Sequence, residues 1–221
     1  MKKTEESIKN NITELVFILD RSGSMEGLEK DTIGGFNSIL AEQKNKDGKC
    51  FVTTVLFDHE LLTLHDRLDF DKVEKLTEKD YQVRGSTALI DAIGSTIKHI
   101  ASIHKYARKS DVPQKTMFVI ITDGYENSSH IYSSGEVKKM IERKKEKDGW
   151  EFLFIGANID AVETAAHFGI NEDRAVNYHA DGCGTKVVYE SISEQVGNLR
   201  CAKPLSGNWN AKIKKDFKSR K

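Results

Sequence analysis

Apolar residues in this chain arrive in short blocks, separated by longer segments of helical spacing. LVFILD (15–20), KCFVTTVLFD (49–58), TMFVIITDG (116–124), WEFLFIGAN (150–158) and AVNYH (175–179) are rich in Val, Ile, Leu and Phe and predict strands. HELLTLHDRL (59–68) follows its predecessor so closely that the two predict a hairpin, and with it an antiparallel edge strand. Leu28 to Lys46 predicts a helix, with Ile33, Phe36, Ile39 and Leu40 on its apolar face. Ala88 to Tyr106 predicts a longer one, striped by Leu89, Ile93, Ile97 and Ile100. Asp71 to Leu76 reads as a short helix, Gly135 to Lys147 as a very polar one, and Lys186 to Leu199 as the last. Asp160 to Phe168 reads as another short helix, with Asp160 as its N-cap and Gly169 as its stop.

Strands without polar interruption suit a parallel sheet covered on both faces. Their alternation with helices predicts an α/β fold: a doubly wound, mostly parallel sheet with one antiparallel edge strand and helices on both faces. The organisation expected is an N-terminal extension over 1–13, one domain over 14–200 and a basic tail over 201–221. Within that tail Trp209 is expected to pack on the domain, and the lysine-rich end to be solvated.

Composition narrows the partners. With 38% hydrophobic and 31% charged residues the chain is of globular type, and 34 basic residues balance 34 acidic ones. No global field then favours a nucleic acid or a membrane surface, and neither is an expected partner. No apolar run approaches the roughly 18 residues needed to cross a bilayer. MKKTEESIKNNITEL carries no apolar region behind its lysines, so the expected location is cytoplasmic. Cys50, Cys183 and Cys201 are scattered and read as reduced thiols.

The chemistry concentrates where strands end. VFILDRSGSM (16–25) climbs through four apolar residues to Asp20, then turns into Ser22 and Ser24. Asp123 closes the fourth strand, a neighbour of the first across the point where strand order reverses, which is where open α/β sheets bind ligands. Two converging carboxylates repel unless a positive charge lies between them. Hydroxyls are poor proton acceptors but good ligands for a hard cation. VRGSTALIDA (83–92) adds Ser86 and Thr87 just as the long helix begins. Taken alone, either would be read as that helix's N-cap. Taken with Asp20, Ser22, Ser24 and Asp123, Thr87 reads as a further cation ligand.

DRSGSM, GSTAL and ITDG together resemble the von Willebrand factor A domain and its metal-ion-dependent adhesion site. Asp20, Ser22 and Ser24 fill the Asp-x-Ser-x-Ser part, Thr87 the distant threonine and Asp123 the distant aspartate. The resemblance covers approximately Glu14 to Arg200. It implies a Rossmann-like sheet of six strands and one divalent cation. Ser22 and Ser24 would bind the cation directly, Thr87 directly in a ligand-bound state, and Asp20 and Asp123 largely through water. Neutral direct ligands leave the ion most of its charge, so a partner's Asp or Glu side chain can complete the shell. Magnesium or manganese suits such a shell better than calcium. The function implied is a non-catalytic adaptor binding an acidic side chain of a protein partner, within an ATPase or kinase–phosphatase assembly. Arg21, Met25, Tyr125 and Glu126 are expected at the rim, where they would choose the partner.

The alternative is a magnesium-dependent hydrolase or phosphatase using Asp20 or a metal-bound water. It lacks the second acid that such phosphatases carry two residues on, where Ser22 stands, and no phosphate loop is present. The seven histidines form no metal or triad spacing. Asp91 reads either as a hydrogen-bonding anchor for the threonine loop or as an exposed helix charge. KKMIERKKEKD (138–148) reads as a solvated, charge-laced face.

Overall fold

The computed structural model describes residues 12–44, 46 and 48–220. The expected N-terminal extension lies outside the described residues up to position 11. The apolar run that follows is β1 (Thr13–Asp20), buried along its whole length. After it come α1 (Glu29–Gln43), β2 (Cys50–Phe57), β3 (Leu61–Asp69), α2 (Leu89–Tyr106) and β4 (Lys115–Thr122). The remainder is α3 (Ser134–Asp148), β5 (Glu151–Gly156), α4 (Ala161–His167), β6 (Ala175–Asn177), α5 (Gly182–Arg200) and α6 (Ala211–Ser219).

The six strands form one sheet in the order β3-β2-β1-β4-β5-β6. Only β3 runs antiparallel to its neighbour, as the hairpin predicted. Successive side chains on a strand point to opposite faces, so β1 feeds two cores. Leu15, Phe17 and Leu19 face α1 and α5, where Phe17 meets Phe36 edge-on at 5.3 Å between ring centres. Val16 and Ile18 face the other layer with Ile93 and Ile97 of α2 and Ile141 of α3. Both faces are covered, which makes this a doubly wound, Rossmann-like α/β sheet. Strand order reverses between β1 and β4, so the carboxyl ends of those strands open a crevice.

Three elements depart from the sequence reading. The helix expected over Asp71–Leu76 is a single turn at Phe70–Lys72. Beyond it Leu76 is a core plug: its backbone N–H donates to Asn37 Oδ1 at 2.8 Å, and the Asn37 amide donates back to its carbonyl at 2.9 Å. α5 begins at Gly182 rather than Lys186, because the Asp181 carboxylate caps it by accepting from Gly184 N at 2.8 Å. Glycine's poor helix propensity hid that turn in the sequence. The basic end is not solvated throughout, since residues 211–219 form α6. α6 buries Ile213 and stacks Phe217 on His179 at 4.5 Å. Trp209 is buried as expected, and its indole N–H donates to Asp173 O at 2.7 Å.

Candidate metal centre

The crevice is built from the ends of β1 and β4 and from the loop that precedes α2. Asp20 ends β1 fully buried. Its Oδ1 accepts from Ser22 N at 2.7 Å, and its Oδ2 accepts from the Thr122 hydroxyl at 2.6 Å. Tyr81, buried beneath, donates its hydroxyl to the Asp20 carbonyl. Burial raises the Asp20 carboxyl above its ordinary range, and the hydrogen bonds from Thr122 and Ser22 only partly offset it.

Pinned to Asp20 by its own N–H, Ser22 opens a single helical turn at Gly23–Met25 that carries Ser24 round to the same side. The two hydroxyls lie 3.1 Å apart. Thr87 donates its hydroxyl to Ser22 Oγ at 2.9 Å, which brings the second loop into the group. Backbone bonds fix that approach: Gly23 N donates to Gly85 O at 3.0 Å, and Arg84 N to Arg21 O at 2.9 Å. Gly85 adopts φ +68°, a conformation costly for any residue with a Cβ.

Asp123 follows β4. Its Oδ2 accepts from the Asn158 amide at 3.2 Å, whereas its Oδ1 is buried without a hydrogen-bond partner among the described residues. Burial lifts its carboxyl to about 6; Ser24 opposes that rise and Asp20 adds to it. Gly124 completes the cradle, because a Cβ there would lie 2.8 Å from Ser24 Oγ and 3.3 Å from Thr87 Oγ1. Three hydroxyls from two loops thus gather beside two buried carboxyls, and Asp123 has the Ser24 hydroxyl beside it with no well-formed hydrogen bond to its Oδ1 among the described residues. That donor set is all oxygen, fits a small hard cation, and is costly to leave uncompensated.

Neither Ser86 nor Thr87 caps α2. That work falls to the loop after β4, where Glu126 Oε2 accepts from Ile90 N at 2.8 Å and Ser129 Oγ from Asp91 N at 3.0 Å. Asp91 is buried and reciprocates, accepting from the N–H groups of His130, Ile131 and Tyr132. It anchors the loop after β4 instead of the threonine loop expected from sequence, and it is not an exposed charge. Thr87 itself is held at its backbone by Asn127, whose side-chain oxygen accepts from Thr87 N at 2.9 Å.

Most of the expected rim is not at the surface. Met25 is 1% exposed and belongs to the core. Arg21 is buried against Asp58, Nε to Oδ2 at 2.9 Å. Glu126 is half-buried and occupied by the backbone of Ser128 and Ser129. Tyr125, 62% exposed, is the one of the four that stands free at the mouth. Thr122 and Gly124, which flank Asp123 within ITDG, and Asn158, which follows β5, receive no role from the sequence reading.

A second cluster, Asp58, His59 and Glu60, brings its ligand atoms within 4.8 Å of one another. There Asp58 is already matched by two guanidiniums, Arg21 and Arg84, each 2.9 Å away. The histidines serve elsewhere. His65 is buried in parallel stack on Phe36, its pKa lowered by burial, and His104 pairs with Glu14. Among the described residues no helix is long and apolar enough to cross a membrane.

A family model described as VWA domain containing CoxE-like protein matches residues 5–146. Among solved structures, von Willebrand factor type A from Catenulispora acidiphila matches with a TM-score of 0.58 and 14% identity, over 86% of this chain and 43% of that one. The ArnB paralog VWA2 from Sulfolobus acidocaldarius matches with a TM-score of 0.52 and 20% identity, over 84% and 45%. The manganese-loaded Plasmodium vivax TRAP protein matches with a TM-score of 0.57 and 18% identity, over 80% and 72%. The chain spans less than half the length of the first two, and at these identities the likeness is one of fold. No curated protein matches.

Proposed function

This chain belongs to the family of VWA domain containing CoxE-like proteins, and from that membership we propose that its strand-end crevice is a complete metal-ion-dependent adhesion site that binds a partner protein without catalysis. One observation carries the reading. The hydroxyls of Ser22, Ser24 and Thr87 converge within 3.1 Å steps beside the unpaired Oδ1 of Asp123. Ser22, Ser24 and Thr87 would hold the cation, with Asp20 and Asp123 balancing its charge from behind, largely through water. The cation, when bound, supplies an incompletely neutralised positive charge to which an Asp or Glu of the partner is attracted.

Magnesium or manganese fits this small hydroxyl-rich set better than calcium, which takes more carboxylates; a structural neighbour is manganese-loaded. Tyr125 at the mouth would add apolar contact area to the partner. Service as a cytoplasmic adaptor to an ATPase or a kinase–phosphatase assembly belongs to the same proposal, as does a single domain over 14–200. The hydrolase alternative finds no support. Asp20 is fully buried and both its carboxylate oxygens accept hydrogen bonds from Ser22 and Thr122, so it is not presented to a substrate as a nucleophile.

Partner capture tests the proposal. Proteins retained on immobilised wild-type chain in magnesium should elute with chelator and be missing from Ser24→Ala, whose side chain is exposed and unimportant to packing. Retention that ignores both chelator and substitution contradicts it.

A further inference from the structure

We propose that the groove between α2 and α3 docks an acidic amphipathic helix of a partner protein. The groove encloses about 610 Å³. That volume lies within the roughly 300–1,000 Å³ usual for ligand sites. Its lining includes Val112 and Pro113, which precede β4, and Trp150, which precedes β5. It therefore opens at the amino ends of the strands, whereas Asp20 and Asp123 lie at the carboxyl ends.

The inner lining is apolar: Ile97 and Ala101 of α2, Met140 of α3, and the buried Trp150. The rim is basic. α3, read from sequence as a uniformly solvated charged helix, is sorted by face. Met140, Arg143, Lys144 and Lys147 follow the i, i+3, i+4, i+7 spacing of one helical face and all line the groove. The acidic residues Glu142 and Glu146 do not line it. Glu142 packs toward the far side, where a Cβ on Gly169 would meet its Cγ at 3.1 Å. α2 adds Lys98 and Lys105 to the opposite rim.

Negative charge in the groove is already matched. Asp148 pairs with Lys144 at 2.7 Å, and Glu14 below pairs with His104 and Arg67. Lys98, Arg143 and Lys147 have no ion-pair partner among the described residues, and Lys105 lies over the exposed ring of Tyr106. An apolar trough between two basic walls complements a segment with one apolar and one acidic face. The two flanking helices offer a third helix ridges to pack into. Because the groove and the cation site lie at opposite ends of the sheet, one chain can hold two partners at once, and this docking needs no cation.

A fluorescein-labelled peptide of sequence EELLEELLEELLEE serves as the probe for fluorescence anisotropy, with its Gln-for-Glu counterpart and oleate as comparators. The expected result is saturable binding to the wild-type chain, unchanged by EDTA. Affinity should fall about tenfold or more in Arg143→Glu/Lys147→Glu and, independently, in Lys98→Glu/Lys105→Glu, with far-UV circular dichroism preserved. Trp150 emission should shift as the peptide binds. No peptide binding, equal binding of the Gln peptide, binding unaffected by either charge reversal, or binding abolished by EDTA would each overturn the proposal. Displacement of the peptide by stoichiometric oleate would overturn it too, by making the groove a lipid site. EDTA keeps the two readings apart: loss of cation-dependent capture leaves this docking untouched, and the reverse holds.

Discussion

Thr87 donates its hydroxyl to Ser22 Oγ at 2.9 Å across 65 residues of chain. Each residue is fixed by its own loop: Ser22 by the Asp20 carboxylate at the end of β1, Thr87 by the Asn127 side chain behind it. The contact is therefore a product of the whole switch point, and its surroundings can be tested one side chain at a time.

Thr122 supports the site from the floor. Thr122→Val keeps the shape but leaves Asp20 Oδ2 buried without its donor. The cost of an unsatisfied buried acceptor is about 1–3 kcal/mol. Urea denaturation of the cation-free protein should show a loss of that size with an unchanged m-value.

Gly124 leaves no room for a side chain. The Cβ of Gly124→Ala would meet Ser24 Oγ at 2.8 Å and displace the hydroxyl. The expected outcome is a folded protein with at least about tenfold weaker manganese binding by isothermal titration, a change worth about 1.4 kcal/mol.

Asp91 holds the loop after β4 by accepting three backbone N–H groups. Asp91→Ala should speed amide hydrogen exchange at residues 130–132 well before it affects β1 or β4. Uniform exchange across the chain would mean that Asp91 stabilises the fold rather than the loop.

Asp181 gives a pH signature. The Gly184 N–H, then the Arg220 pair, hold its carboxyl below the ordinary value of 3.8. A depressed folded-state pKa contributes stability that is present above 3.8 and lost as pH falls through the folded value. Comparing the wild type with Asp181→Asn should therefore show a stability gap at pH 7 that closes in acid below 3.8. A gap independent of pH would assign the effect to shape alone.

Much of this was legible from residue order. The buried strands announce themselves as unbroken apolar runs, and Asp20, Ser22 and Ser24 lie within five residues of one another. What escaped depends on neighbours distant in sequence. Thr122 looks like any strand threonine until β4 is laid beside β1. Arg21 and Met25 look like rim residues because each sits next to a ligand in sequence, yet the tight turn at Gly23–Met25 swings Met25 into the core. Asp58, from the β2–β3 corner, draws Arg21 inward. α6 hid behind its lysines because only Ile213 and Phe217, four apart, mark its apolar face.

The central claim is that the hydroxyls of Ser22, Ser24 and Thr87 hold a divalent ion. Electron paramagnetic resonance of manganese titrated into the wild-type chain, Ser22→Ala and Thr87→Ala measures it most directly. One bound ion per wild-type chain is expected, and at least about tenfold weaker binding in each variant with circular dichroism preserved. Equal manganese occupancy in all three proteins, or none in the wild type at millimolar metal, would contradict it.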